Sequence, residues 1–407
     1  MAGPLHGVKV LDLSRVLAGP WSSQILADLG ADVIKIERPG SGDDTRSWGP
    51  PYAKDTSGAP TPESAYFLST NRGKKSVTID IATTEGQALV SGLAEQSDIL
   101  IENFKAGGLA NYSLDYNTLA QLNPGLIYCS ITGFGQTGPY SHLPGYDFLI
   151  QGMGGLMSIT GDADNASGGG PIKTGVAVAD LFSGLYATVA ILAALNRRHA
   201  TGRGDQIDIA LLDVQVAMLA NQAMNFLTTG NAPQRLGNAH PNIVPYQSFA
   251  TQDGYVVLAV GNDDQFRAFC DGAGRTELAA DARFMTNPAR VANRDALIPI
   301  IANVLKSQTT RHWLNTFSAA RVPAGPINTI ADVFADPHVQ ARGLLLDLPH
   351  ATAGRVPSVA NPIRFGGSAL DAAAGPPTLG QHTTDVLSQR LGLSRSEIDA
   401  LKAAGAI

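Results

Sequence analysis

The sequence predicts an α/β fold built on a parallel sheet and joined to a smaller α+β domain. Three observations carry that prediction. Residues 8–14, 20–29 and 32–38 pass from a β-rich apolar run to a helix-periodic one and back, which makes a βαβ unit. Two further helix-then-strand units follow, at 84–95 with 99–102 and at 114–122 with 126–132. Beyond residue 230 the character changes to neighbouring strand patterns at 246–250 and 255–260, with helical ones after them.

In chain order, the first strand runs into the turn SRVLAGP and then into a helix with Trp21, Ile25, Leu26 and Leu29 at helical spacing. A dinucleotide-binding turn needs G-x-G-x-x-G at this point. One glycine followed by a proline disfavours a nicotinamide cofactor. Residues 39–62, crowded with Pro, Gly, Ser and Asp, form a long loop of the kind that serves a site or moves. They lead to Asn71, Arg72, Gly73, Lys74 and Lys75, three cations in five residues ahead of a strand at 77–81. A solvated loop is the plain explanation of that cluster, and a local polyphosphate site is the other.

The loop 133–145, rich in glycine and proline, can bring its backbone close to a ligand and ends in Pro144, Gly145, Tyr146 and Asp147. A glycine-punctuated helix at 148–160 and a flexible loop at 161–171 come next. Asp180 then closes a β-branched run, Thr174, Val176 and Val178, and precedes an apolar helix from Leu181 to about Arg198. The junction of strand and helix is where an α/β sheet exposes reactive groups. As a helix N-cap alone, Asp180 would contribute ~1 kcal/mol to the helix and nothing more.

A strand at 206–209 and a helix at 211–227 complete the first domain, assigned to 1–228. The stretch 230–245, dense in Gly, Asn and Pro, marks the boundary to a small domain at 229–330. That domain carries helical patterns at 264–271, 294–305 and 310–319 and an extended run at 323–328. Residues 331–407 return to the first domain and end in an amphipathic helix at 394–404.

Composition bounds the function. The formal net charge of −6 argues against a nucleic-acid surface, so a polyphosphate ligand requires a local basic site. No uninterrupted apolar run reaches the ~18 residues of a membrane span, and the N-terminal stretch MAGPLHGVKV has no basic region ahead of an apolar one. A protein without membrane or targeting segments is expected, in a reducing cytoplasm. Cys129 and Cys270 form neither a disulfide framework nor a zinc spacing, and no metal is expected.

Several segments together resemble the family III CoA-transferases, the group of formyl-CoA transferase, L-carnitine CoA-transferase and the α-methylacyl-CoA racemases. They are GVKVLDLSRVLAGP at 7–20, GADVIKIERPGSGD at 30–43, NRGKKSVTID at 71–80, ENF at 102–104 and GFGQTGP at 133–139. PGYD at 144–147, VAVADLFSG at 176–184, TGRGDQIDIALLDV at 201–214 and LGQHTTDVL at 379–387 continue the series. The resemblance implies a Rossmann-like sheet completed by the C-terminal segment, and an interlocked homodimer. It makes Asp180 the nucleophile, with an acyl-CoA and a carboxylic acid as substrates. It assigns CoA to the backbone of Leu17 and Ala18, to Arg38, to Asn71, Arg72, Gly73, Lys74 and Lys75, to Asn103, Phe104 and Lys105, and to Pro144, Gly145, Tyr146 and Asp147. Gly237, Asn238 and His240 match a segment that reaches towards the acyl group.

The chain departs from the family pattern at Lys105 and Ala106, where relatives often have arginine and proline, and at Asn111, where another phosphate-binding arginine is common. Tyr146 stands where the racemases have histidine. A phenol of ordinary pKa ~10 is a poor neutral-pH base, which favours the transferase branch. The overall likeness leans towards members that use short dicarboxylates such as succinate and glutarate. An acyl-CoA racemase of the same fold and a non-catalytic CoA-binding protein are the alternatives.

Overall fold

The computed structural model describes residues 3–367, 370 and 374–407. They divide into two compact units, one of Met1–Leu156, Thr174–Met224 and His338–Ile407, the other of Met157–Lys173 and Asn225–Pro337.

The first unit is organised on six parallel strands: β1 (Lys9–Asp12), β2 (Asp32–Glu37), β3 (Lys74–Thr78), β4 (Ile99–Glu102), β5 (Ile127–Thr132) and β6 (Asp205–Ala210). Their spatial order is 3-2-1-4-5-6. That order reverses between β1 and β4, and ligands bind open α/β sheets in the crevice at the carboxyl ends of such strands. Both faces are covered, as a parallel sheet requires. Val10, Val33, Ile99 and Ile127 turn to a core shared with Leu26, Ala187 and Ile191, whereas Leu11, Ile34, Val77 and Leu100 meet Val90, Leu387 and Ile398 on the other face. The C-terminal residues thus close one side of the sheet, and Asp80 donates its amide to Ala406 O.

Five helices position the site: α1 (Ala18–Asp28), α2 (Thr84–Glu95), α3 (Tyr116–Leu122), α4 (Asp147–Met153) and α5 (Val178–Thr201). Thr83 and Asp115 cap α2 and α3 with their own side chains, whereas α1 and α5 have no side-chain bond from the residue before them. By length and composition α5 is apolar enough to cross a membrane, and 44% of that stretch is buried inside the protein.

The β-branched run before Asp180 is not a strand. The helix begins at Val178, so Asp180 lies inside its first turn rather than ahead of it. The reason is a cap supplied from elsewhere in the chain: Asp147 accepts the Ala179 amide at 2.8 Å, while Gln151 Oε1 accepts the Thr174 amide at 3.0 Å. The apolar stretch from 211 also differs, dividing into Leu211–Met218 and Ala220–Thr229 at a positive φ of 43° on Ala220. The long loop contains a short hairpin, Tyr52–Lys54 with Pro60–Ser64.

The second unit has a three-stranded antiparallel sheet of Ala324–Pro326, Tyr255–Ala259 and Tyr246–Ala250, in that order. The helices Asp263–Gly272, Arg294–Leu305 and Thr310–Ala319 pack on it through Phe266, Phe269, Ile301, Trp313 and Phe317. Residues 157–173, which the sequence assigns to the first domain, belong to this unit. Gly237 donates its amide to Gly161 O at 3.0 Å, and Arg235 reaches Ser158 O and the Asp164 carboxylate.

Candidate active site

Two adjoining cavities open at the carboxyl ends of the strands. The larger, about 460 Å³, is bounded by the β1–α1 turn, the loop after β4, the end of β5, the turn 144–146 and Asp180. The smaller, about 350 Å³, lies over the ends of β2 and β3 and includes Arg38; Arg15, Phe104 and Tyr112 border both.

Two close approaches fix the elements around Asp180, which borders the larger cavity. Helix α5 crosses α1 at Gly184, where a Cβ would stand 2.6 Å from Ala18 O. The 144–147 turn is pressed on β5 by a glycine pair, since a Cβ on Gly145 would stand 2.3 Å from the Gly133 Cα. The same turn delivers Asp147, whose carboxylate bonds both Ala179 N and, at 2.7 Å, Gln151 Nε2. Burial, and after it the Asp147 charge, push the Asp180 carboxyl up to about 7. Tyr66, edge-on to Trp48 at 5.2 Å, feels Asp180 and Asp147 as well, and burial together with those charges raises its phenol to about 12.

The β1–α1 turn is built under restraint. Asn103 accepts the Arg15 amide at 2.8 Å and donates to Arg15 O at 2.7 Å. Val16 has a φ of 72°, a genuine outlier for a β-branched residue that costs roughly 1–3 kcal/mol. Its amide meets both carboxylate oxygens of buried Asp43 at 3.2 Å. Burial opposes the Asp43 charge, but Lys35, 2.9 Å away, and Thr45 outweigh it and hold the carboxyl at about 2.

Several expected ligand contacts require correction. Arg72 is buried in a two-pronged pair with Asp28, at 2.8 and 2.6 Å, and also donates to Ser358. Lys74 is buried beneath α1, bonded to Asp12, Pro20 O and Asn71 Oδ1. Asn71 also bonds Phe67 O, and Gly73 N donates to Ala374 O. Lys75 pairs with Asp32 at 2.7 Å, at the amino ends of β3 and β2, away from the crevice. None of these five residues lines either cavity. Acids on β1 and α1 draw Lys74 and Arg72 into an internal ion-pair layer, whereas Asp32 of β2 holds Lys75 in a more exposed pair. Asp147 is likewise not on the cavity wall but behind it, as the cap of α5.

Leu17, Ala18, Asn103, Phe104, Lys105, Pro144, Gly145 and Tyr146 do border the larger cavity with Asp180. In the second unit Asn238 donates to Ser248 Oγ at 2.9 Å, and His240 Nδ1 accepts the Asn242 amide at 3.0 Å beside the Tyr246 ring. Arg15, Asn111, Tyr112 and Thr132 are cavity residues that the sequence reading did not assign to a ligand. Arg15 was available to it, as the residue that follows the end of the first strand in a βαβ unit. Its guanidinium stands 5.6 Å over the Phe104 ring and 3.0 Å from Asp44.

If Asp180 must ionise to react, kcat/KM rises with pH through about 7, because burial and Asp147 disfavour the carboxylate below that point. Asp147→Asn keeps an oxygen acceptor for Ala179 but removes the like charge. Its acid limb should therefore move to lower pH in a kcat/KM profile, and an unmoved limb would separate the limb from Asp180.

A parallel sheet of this order, with a half-buried carboxylate bordering a cavity at the carboxyl ends of its strands, has the architecture of an α/β enzyme with its ligand site in the crevice. The chain belongs to CoA-transferase family III, whose model matches residues 5–383. It is 51% identical to a succinate–glutarate CoA-transferase of Agrobacterium fabrum over 97% of both chains. It is 43% identical to the human succinyl-CoA:glutarate CoA-transferase, over 99% of this chain and 90% of that one. The crystal structure of a CAIB/BAIF family protein from Brucella suis superposes with a TM-score of 0.83 at 51% identity, covering 96% of this chain and 100% of that one. The protein is a family III CoA-transferase, and CoA thioesters are its substrates.

Proposed function

We propose that this enzyme moves CoA between short dicarboxylic acids, with Asp180 as the acyl and CoA carrier. The observation that carries the proposal is the position of Asp180, a partly buried carboxylate facing the uncapped start of α1 across the larger cavity. The donor acid class follows the names of relatives, which act on succinate, glutarate and mesaconate.

In the first step an Asp180 oxygen attacks the thioester carbonyl, the C–S bond breaks and CoA leaves as thiolate, forming a mixed anhydride. The thiolate attacks the aspartyl carbonyl, and the donor acid departs as carboxylate, leaving an aspartyl thioester. The acceptor carboxylate attacks that thioester and expels thiolate again. Attack of the thiolate on the new acyl carbonyl forms the product and frees Asp180. Both intermediates conserve the thioester's energy, which a serine ester would not. The amides of Leu17 and Ala18, which border the cavity at a helix start without a side-chain cap, can stabilise the oxyanions.

Succinyl-CoA offered with glutarate and a panel of mono- and dicarboxylic acids tests the reading. New thioesters of dicarboxylic acids are expected; transfer to monocarboxylates alone would overturn the acid class, and α-proton exchange without an acceptor would favour racemisation.

Arg15 is the cation between the two cavities, and phosphates of CoA are its natural partner. Arg15→Ala should raise the KM for acyl-CoA by roughly tenfold and leave kcat within about twofold, since a phosphate contact is equal in ground and transition states. Steady-state kinetics at fixed acceptor measure it.

The chain is also proposed to pair with a second copy. Phe148, Leu149, Phe182, Leu185, Tyr186 and Val189 on α4 and α5 are all at least two-fifths exposed, an apolar surface of the kind that partners cover. Sedimentation equilibrium should give twice the chain mass.

A further inference from the structure

We propose that Asp43 is a positioning residue that holds Val16 in its left-handed conformation and so sets the direction of the Leu17–Ala18 backbone beside Asp180. The inference rests on the reading of that cavity as the transfer site. The turn has an unusual composition for its geometry. Glycine is the ordinary residue at positive φ, and a β-branched residue is among the least suited to it. Val16 nevertheless sits at 72°.

The restraint comes from two sides. Asn103 fixes Arg15 through both its amide N–H and its carbonyl oxygen. Asp43 takes the Val16 amide, and its own position is secured by Lys35 at 2.9 Å, by the Thr45 amide and hydroxyl at 2.9 and 2.7 Å, and by donation of its amide to Glu37 at 3.0 Å. Lys35 in turn donates to Ser14 O at 2.7 Å, in the same turn. Without Asp43, the Val16 amide has no acceptor, and the Asn103 clamp acts on Arg15 rather than on the valine itself. Relaxation to negative φ would rotate the following peptides, which are the ones bordering the cavity with Asp180.

The test is a cycle of four proteins: the natural enzyme, Asp43→Ala, Val16→Gly and the double variant. Asp43→Ala, which removes both acceptors of the Val16 amide, should weaken CoA binding, read by calorimetry, and lower kcat/KM for transfer, each about tenfold or more. Glycine reaches φ near +70° without restraint, so the double variant should recover most of that loss. A purely structural role of Asp43 as the partner of Lys35 would not be rescued at position 16. Failure of rescue, or an Asp43→Ala enzyme equal to the natural one, overturns the proposal.

Thermal unfolding of the same four proteins needs no ligand. Val16→Gly should shift the midpoint upwards more in the natural background than in the Asp43→Ala background, where the acceptor of the Val16 amide is gone and the strain already released, and equal shifts overturn the proposal. A natural enzyme that binds no CoA would refute the functional reading while leaving this second readout intact. Should Asp43→Ala fail to fold, Asp43→Glu retains a charge for Lys35 and displaces the acceptor by one methylene, with the same rescue expected.

Discussion

Asp180→Asn should lower CoA transfer by more than ~10³-fold while making the protein more stable above pH 7. The loss follows from chemistry, because an amide cannot form the anhydride. The gain follows from linkage. The folded Asp180 carboxyl titrates near 7, raised by burial and by Asp147 from an ordinary value of 3.8. The native state therefore holds a proton that the unfolded chain has released, and stability declines as pH rises between those values. Asparagine has no proton to lose, so the variant escapes that decline. Helix α5 is not weakened, because Asp147 caps it. Transfer assays with thermal scans at pH 5 and pH 8 measure both effects. Hydroxylamine added to enzyme and acyl-CoA without acceptor should leave a hydroxamate on the peptide containing residue 180. A variant with normal transfer, and no such adduct in the natural protein, would exclude Asp180 as the carrier.

Lys74→Ala should destabilise the protein by ~3–5 kcal/mol, in contrast to ~0–1 kcal/mol for Lys75→Ala. Lys74 is fully enclosed with Asp12, and its ammonium is bonded at 3.2 Å to that carboxylate, at 3.0 Å to Pro20 O and at 2.9 Å to Asn71. Burial lowers the ammonium to about 8 despite Asp12. Removing it leaves Asp12 in the interior with Lys35 as its nearest remaining cation. Lys75 and Asp32 are both substantially exposed, and solvent screens their pair. Urea unfolding near neutral pH compares the two; similar midpoints would contradict the internal ion-pair layer.

Much of the sheet was legible in the sequence because alternation of β-rich and helix-periodic runs is a local property. So was Asp180, through its motif and its place at the start of the apolar helix. The fate of Lys74 was not legible. Whether three cations face solvent or an acid depends on which strand lies beside β3, and the pairing of Val33 with Lys74 spans residues far apart in the chain. The cap of α5 was hidden for the same reason: Asp147 is 32 residues from Ala179. Val16 concealed its conformation differently, since sequence rules expect glycine at positive φ and the restraint here lies in Asp43 and Asn103.

The closure of one sheet face by Val386, Leu387 and Ile398 has a consequence for how the molecule is made. A ribosome releases the N-terminal strands long before these residues emerge, and the second unit leaves it in between. Leu11, Ile34 and Leu100 therefore lack part of their apolar cover until residues 386–398 have emerged. Domains fold as units, and the complete core of this first unit requires both the strands synthesised first and these much later helices.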